Sequence, residues 1–454
     1  MTVRPLLIII LAAGKGTRMK SARPKVLHKV AGRSMLGHVL DLAQSSAATS
    51  IAVVVGPQME AVATEAKRLA PSAQIFLQHD QRGPADAVLA AREAIKNHNG
   101  DVIVLYADTP LIENETITRV TAALNEGANV AVLGFRPLDP TGYGRLLTGT
   151  MGELTAIREE RDASAQERKA DLCNSGVMAF RIADLAALLG RIGNANAKSE
   201  FYLTDAVEIA CQDGLKAVVV ECGEDEVLGV NARDQLAQAE AIWQRRRRLK
   251  LMRDGVTMIA PETVWLSFDT VIGRDVTIEP NVVFNPGVSV GDGAEIKANC
   301  HLEGAKIGAG ARIGPFARLR PGAQLGRDVH VGNFVEVKNT IMEAGAKANH
   351  LAYLGDGYVG ERANIGAGTI FCNYDGFNKH KTEIGPEAFI GSNSALVAPV
   401  KIGAGAYVGS GSVITKDVSA GSLAIGRGSQ EERPGWAEKF RLMMGRRKAK
   451  TSTT

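Results

Sequence analysis

From Ile272 to Ile414 an apolar residue returns at every sixth position. The beat runs through Ile272, Ile278, Phe284, Val290, Ile296 and Leu302, slips by one residue, and resumes at Ile307, Ile313, Leu319, Leu325, Val331 and Val337. It returns at Val359, Ile365 and Phe371, and again at Ile384, Ile390, Leu396, Ile402, Val408 and Ile414. A period of six fits neither a helix nor a flat alternating strand. It fits a parallel β-helix, in which a coil too small to hold its own core stacks its apolar side chains on the next. Gly often follows the apolar residue, as in Ile307-Gly308, Ile365-Gly366 and Ile402-Gly403, and eases the backbone round a corner. The alternative is a sandwich of short strands, but four phased runs argue against it.

The array departs from its beat twice. Residues 338–358 lose it around Asn349-His350-Leu351-Ala352-Tyr353, and residues 372–383 read as a loop extruded between coils. Insertions in solenoids tend to gather on one face and often form the binding face.

At 454 residues the chain exceeds one core, so two or three domains are expected. A net charge of +4 does not argue for a nucleic-acid partner. The five cysteines, Cys173, Cys211, Cys222, Cys300 and Cys372, show no metal-ligand spacing and fit reduced thiols of the cytosol. Arg4 and the apolar run from Leu6 to Ala13 look a little like a signal peptide. The run is short, however, and opens into Gly14-Lys15-Gly16-Thr17-Arg18, which fits a buried strand feeding a phosphate-type loop. No other stretch is long enough to span a bilayer, so a cytoplasmic protein without membrane insertion is expected.

Residues 1–230 alternate short apolar runs with amphipathic ones. The expected strands are Leu6–Leu11, Ile51–Val55, Gln74–Leu77, Val102–Tyr106, Val130–Leu133 and Ala217–Val220, with a helical pattern from Asp86 to Ile95 among those between them. That alternation predicts an α/β domain with a mostly parallel sheet, whose ligands sit beyond the carboxyl ends of the strands. Two loops there carry candidate chemistry. In the first, the glycines of Gly14-Lys15-Gly16 let backbone N–H groups approach a phosphate, and Arg18 and Lys25 bring positive charge. The loop is not a Walker A motif, because no Gly-Lys-Ser/Thr follows a four-residue gap from an earlier Gly, nor a Rossmann fingerprint, because Met19 stands where the third glycine would be. A solvated turn with incidental basic residues is the alternative. In the second, Asp108 follows the strand ending at Tyr106-Ala107 and is placed to hold Mg²⁺ or to cap a helix.

The run Leu11-Ala12-Ala13-Gly14-Lys15-Gly16-Thr17-Arg18-Met19, followed by Pro24-Lys25, resembles the signature of the sugar-nucleotide pyrophosphorylases. With the hexapeptide array behind it, nearly the whole chain resembles the bacterial bifunctional N-acetylglucosamine-1-phosphate uridyltransferases and glucosamine-1-phosphate acetyltransferases. The resemblance implies a nucleotidyltransferase domain over residues 1–230, a linker helix over 231–254, a left-handed parallel β-helix acetyltransferase domain over 255–430 and a tail over 431–454. It implies UTP or UDP-N-acetylglucosamine contacts at Leu11, Ala12, Ala13, Gly14, Lys25, Gln78, Gly83, Tyr106, Gly144, Glu159, Asn174 and Asn231. Gln78 and Gly83 are the uracil pair. Asp108 and Asn231 are magnesium ligands, and Arg18 and Lys25 neutralise phosphate charge during in-line displacement. One departure stands out. Gly83 is usually followed by Thr, a small residue and His-Ala, whereas this chain reads Gly83-Pro84-Ala85-Asp86-Ala87. Pro84 has neither hydroxyl nor N–H, so no side-chain contact is expected from it.

In the array the resemblance makes His350 the general base of acetyl transfer, a role suited to an imidazole. A bond to a corner carbonyl is the alternative reading of a lone histidine. Arg320, Lys338, Tyr353 and Asn364 would hold glucosamine-1-phosphate. Ala367, Asn373, Tyr374, Ser392, Ser410 and Arg427 would contact acetyl-CoA, with Lys379 supporting the loop. Family members form homotrimers with acetyl sites at subunit boundaries. Cys173 beside Asn174 reads as a packed thiol rather than a nucleophile, and Arg245-Arg246-Arg247-Arg248 as a solvated helix face rather than a nucleic-acid site. The basic tail reads as mobile, or as folding over a neighbour. Two rival readings are a single-activity nucleotidyltransferase using the β-helix as a scaffold, and a non-catalytic subunit. The cluster around His350 and Lys379 disfavours the first, and the presence of Arg18, Lys25 and Asp108 disfavours the second.

Overall fold

The computed structural model describes residues 4–46, 48–150 and 152–451. The chain packs as two compact units. The first comprises residues 1–250 with 266–268, and the second comprises residues 251–265 with 269–454.

The first unit is built on a sheet with strand order Ala217–Glu221, Val130–Phe135, Cys173–Arg181, Asp101–Tyr106, Leu6–Leu11, Ser50–Val55 and Gln74–Leu77. Leu6, Ile8 and Ile10 face one apolar core while Leu7, Ile9 and Leu11 face another. A strand covered on both sides reads as an unbroken apolar run, which is why the sequence exposes it. All neighbours on this path are parallel except Cys173–Arg181, which runs against both of its partners. That strand is absent from the sequence reading, and so is the hairpin Arg145–Thr148/Leu154–Arg158 beside it. Being antiparallel, it enters the sheet where its neighbours end, so Asn174 lies opposite Gly134 at their carboxyl edge. The helical pattern expected from Asp86 to Ile95 starts earlier, at Pro84, and breaks at Ala91 into Pro84–Ala90 and Arg92–Lys96. Proline suits that start, because the first turn has no use for its missing N–H.

The helix Arg233–Arg253 packs Ala239 and Ile242 against Val30, Ala31, Met35 and Leu111 within this unit. Its arginine run is engaged locally: Arg245 pairs with Asp225, and Arg246 pairs with Glu113 at 3.2 Å and donates to the Leu111 carbonyl at 2.8 Å.

The second unit is the expected parallel β-helix. Partner residues on one face lie one coil apart, as Arg312 with His330, His330 with Lys347, and Lys347 with Asn364. Of the periodic apolar positions, Ile272 is partly exposed and all the others are buried. A second interior row, two residues ahead of the first, holds small side chains such as Ala294, Ala311, Ala317 and Ala323, each at most 2% exposed. The departure expected at residues 338–358 is not a structural interruption. The strands Glu336–Met342, Lys347–His350 and Tyr353–Val359 continue the stack in register. Met342, Ala348 and Leu354 fill the interior, each 0% exposed. The beat escapes notice because one position holds only a methyl group and two of the steps shorten to five residues. The loop expected at 372–383 is real: Asn364 pairs with Phe389 across it, and Tyr374 and Phe377 are exposed. In the tail, residues Trp436–Thr451 form a helix, in keeping with their strong helix formers, and the last three residues lie outside the described ones.

Candidate active sites in the two units

In the first unit, the loop after Leu6–Leu11 is anchored by Met19, 1% exposed, in the short turn Thr17–Met19. Gly16 has φ +63°, and a Cβ there would lie 2.4 Å from the Lys25 Cβ, so glycine lets the Lys25 stem pass. Lys25 Nζ reaches Asn231 Oδ1 at 3.0 Å and also makes a short contact with Asp108. Two oxygens, one carboxylate and one amide, thus converge on a single positive charge.

Around this point two cavities meet. One, of about 540 Å³, is lined by Leu11, Ala12, Ala13, Gly14, Lys25, Gln78 and Gly83. The other, of about 570 Å³, is lined by Arg18, Gly144, Glu159, Asn174 and Asn231. Tyr106 and Asp108 line both. Every residue expected from the sequence for this unit therefore borders one or other of two adjoining cavities. Gly176, with φ +94°, packs on the Tyr106 ring, where a Cβ would come within 2.9 Å. Burial raises the pKa of Glu159 and of the Tyr106 phenol. Burial likewise raises the Cys173 thiol, and the side chain is 0% exposed, as befits a packed residue. Sequence reasoning missed Gln81, whose amide donates to the Ala13 carbonyl, and Asp86, which holds Gln78. It also missed Tyr202, which lines the second cavity and whose phenol oxygen is buried and without a hydrogen-bond partner among the described residues. Asp86 carried one mark, the departure at Gly83-Pro84-Ala85-Asp86, whereas Gln81 and Tyr202 stand in no local pattern.

In the β-helix the register gathers the expected residues at two corners. Asn333 pairs with His350, and Ala367, Ser392 and Ser410 hold the equivalent place on later coils, three residues after Asn364, Phe389 and Tyr407. Gly411 N donates to Ser392 O at 2.7 Å, and Arg427 donates to the Ser410 carbonyl. His350 is exposed, and its Nδ1 lies 2.6 Å from Asn333 Oδ1. An amide oxygen only accepts, so Nδ1 carries the proton and the Nε2 lone pair is left for a substrate.

The other corner holds Arg320 and Lys338 on successive coils, with Tyr353 lying back over Gly355. Asp356, missed from the sequence, is its hub: it accepts from Asn339 at 2.8 Å, from Lys338 at 3.3 Å and from Asn373. Lys379, on the extruded loop, is held below the ordinary lysine range by the Lys338 amine beside it. Two amines within hydrogen-bonding reach and an arginine, which Glu336 engages at 2.8 Å, gather positive charge. The loop has its own fold: Tyr374 bridges to Lys379, and Asp375 is pulled down to about 2 by bonds from Asn378 N, His380 and Phe377 N. Asn364 stands partly exposed on the face that leads to the His350 corner.

Among the described residues no helix is long and apolar enough to cross a membrane, and no group of three or more His, Cys, Asp or Glu side chains could hold a metal ion. Residues 8–170 match the MobA-like NTP transferase domain family. Residues 269–304, 304–339 and 381–416 match the bacterial transferase hexapeptide family. The chain is 60% identical to the bifunctional protein GlmU of Azorhizobium caulinodans, covering 99% of this chain and 100% of that protein. It is 59% identical to that of Xanthobacter autotrophicus, covering 97% and 98%, and 57% identical to that of Nitrobacter hamburgensis, covering 98% of both. Such identity along both units, together with a nucleotidyltransferase cleft and a hexapeptide β-helix on one polypeptide, means that the chain belongs to the GlmU family of bifunctional enzymes.

Proposed function

We propose that residues 1–230 transfer UMP from UTP to N-acetylglucosamine-1-phosphate, and that the β-helix over 255–430 first makes that sugar by acetylating glucosamine-1-phosphate from acetyl-CoA. The helix over 231–254 links the two. The observation that carries the reading is the pairing of two unlike sites: a cleft ringed by Arg18 and Lys25, and an exposed imidazole whose Nε2 lone pair is available.

In the acetyl site the sugar amine attacks the thioester carbonyl. A C–N bond forms and the C–S bond breaks; the amine proton passes to His350 Nε2 and from there to the departing sulfur, so that coenzyme A leaves as its thiol. Asn333 keeps the ring in the tautomer that this step needs. Arg320, Lys338 and Lys379 supply charge for the sugar phosphate, with Tyr353 and Asn364 beside it. Ala367, Ser392, Ser410 and Arg427 form the track for coenzyme A, flanked by the Asn373–Tyr374 loop. The His350 and Lys338 corners are opposite edges of one face of the coil. The hexapeptide β-helix and the family resemblance, which implies acetyl sites at subunit boundaries, support a homotrimer.

In the nucleotide site a sugar phosphate oxygen attacks the α-phosphorus of UTP and pyrophosphate leaves. Arg18 and Lys25 screen the approach of two anions, and Gly14 and its neighbours orient the phosphates. Gly144, Glu159 and Asn174 cradle the sugar. Asp108 and Asn231 offer the few hard oxygens that Mg²⁺ asks of a protein, around a point that already attracts the Lys25 ammonium. When bound there, the ion neutralises phosphate charge. Both substrates and products are polar metabolites of the cytoplasm.

Crossed variants test the assignment. His350→Ala should abolish acetyl transfer and spare uridylyl transfer, and Asp108→Ala should do the reverse. Loss of both activities in either variant, or of neither, would contradict it.

A further inference from the structure

Gln78 is 5% exposed in the wall of the nucleotide cavity, and its neighbours fix the direction of its amide. Nε2 donates to the Gly83 carbonyl at 3.1 Å and to Asp86 Oδ2 at 2.8 Å. Both partners can only accept, and a primary amide has two N–H bonds, so both are used. Turning the amide over would set its oxygen against a carboxylate. The group left to the cavity is the Oε1 acceptor. Asp86 is itself gripped by Arg82, through Nη2 at 2.7 Å and Nε at 3.2 Å, and the Arg82 guanidinium lies over the Phe201 ring at 5.5 Å. Burial pushes the Asp86 carboxyl up, but the bonds from Gln78 and Arg82 outweigh it and the net pKa is lowered. Gly83 lines the same cavity, and its N–H has no acceptor among the described residues.

We propose that Asp86 is the positioning residue for base selection: by holding Gln78 with its oxygen toward the cavity, it sets an acceptor beside the Gly83 donor, the complement of an imide N–H next to a carbonyl. That is the edge of uracil. Cytosine offers a bare ring nitrogen and an amine in those places, which sets a lone pair against Gln78 Oε1 and an N–H against the Gly83 N–H. The inference rests on the nucleotide reading proposed above and deepens it. It also gives a role to the position where this chain departs from the family's usual histidine.

The test compares UTP with CTP in the full-length enzyme by pyrophosphate release, with Asp86→Asn and Gln78→Ala. Asparagine keeps the volume of Asp86 but can present either a donor or an acceptor, so the Gly83 carbonyl alone still holds Gln78 and the direction of its amide is loosened. Asp86→Asn should lower the UTP-to-CTP ratio of kcat/KM at least tenfold, mainly through a gain with CTP, while kcat with UTP stays within threefold. Gln78→Ala should also lower the ratio. A ratio lowered by Gln78→Ala but untouched by Asp86→Asn overturns the role of Asp86 alone. A ratio untouched by both overturns the nucleotide reading beneath it. Equal loss with both nucleotides in Asp86→Asn marks a merely structural role and overturns the proposal.

Discussion

Asp356→Ala would release the extruded loop from the coil beneath it. Asp356 is 7% exposed, and its carboxylate gathers Asn339, Lys338 and Asn373. On its removal Asn339, exposed, and Lys338, partly exposed, can turn to water. Asn373 cannot: it is 7% exposed at the root of the loop that carries Tyr374 and Lys379. Leaving a buried donor without an acceptor costs about 1–3 kcal/mol. A cost near 2 kcal/mol, charged to the seated form of the loop, corresponds to roughly 30-fold in rate. Acetyl transfer, followed as release of the coenzyme A thiol, should therefore fall roughly 30-fold in kcat/KM, while pyrophosphate release by the other unit changes less than twofold. Asp356→Asn, which keeps one acceptor, should fall in between. Acetyl transfer within twofold of the unaltered protein would refute the reasoning, and equal loss of both activities would show that the variant acts on more than the loop. The pH dependence is a second check. Burial pushes the Asp356 carboxyl up, but Asn339, Asn373 and Lys338 together outweigh it, and its pKa is lowered from 3.8. Its contribution to stability is therefore present above that ordinary value and is lost only as pH falls through the depressed one. It should make no difference to activity near neutrality.

Two further outcomes follow from the cleft. Burial raises the Glu159 pKa, so its contribution to stability is full below the ordinary glutamate range and is lost as pH rises through the folded value. Glu159→Gln should thus melt about 2 °C higher than the unaltered protein at pH 8, lose that advantage toward pH 4, and still lose uridylyl transfer; thermal melts at both pH values check it, and a lower melting point at pH 8 would contradict it. Gly83 has φ +123°, and an added Cβ would lie 2.7 Å from the Phe201 carbonyl oxygen and 2.9 Å from its nitrogen. Gly83→Ala should strain the backbone by about 1–3 kcal/mol and lower kcat/KM for UTP at least tenfold without touching acetyl transfer. Unchanged UTP kinetics would show that the Gly83 backbone does not shape the nucleotide cavity.

The sequence by itself determined the stacked coils, the buried central strands and the extruded loop, and its resemblance to a family pointed to residues that the structure gathers at the two candidate sites. Periodic burial is a local property: a side chain that must be apolar on every turn leaves its mark whatever lies beside it. The tertiary structure alone decided that the coil runs unbroken through residues 338–358, where Ala348 fills its place with a methyl group. It alone placed the antiparallel strand that brings Asn174 to the carboxyl edge, and the pairings of Asn333 with His350, Asp86 with Gln78, and Asp356 with Lys338. The pairings at His350 and Asp356 join residues one coil apart, so a shift of register would dissolve them without altering the apolar beat. The Asp86 pairing needs the strand end and the helix start to meet at Gly83. Hydrogen-bond partners are chosen by register and by the path of the chain, and neither is written in the composition of either partner.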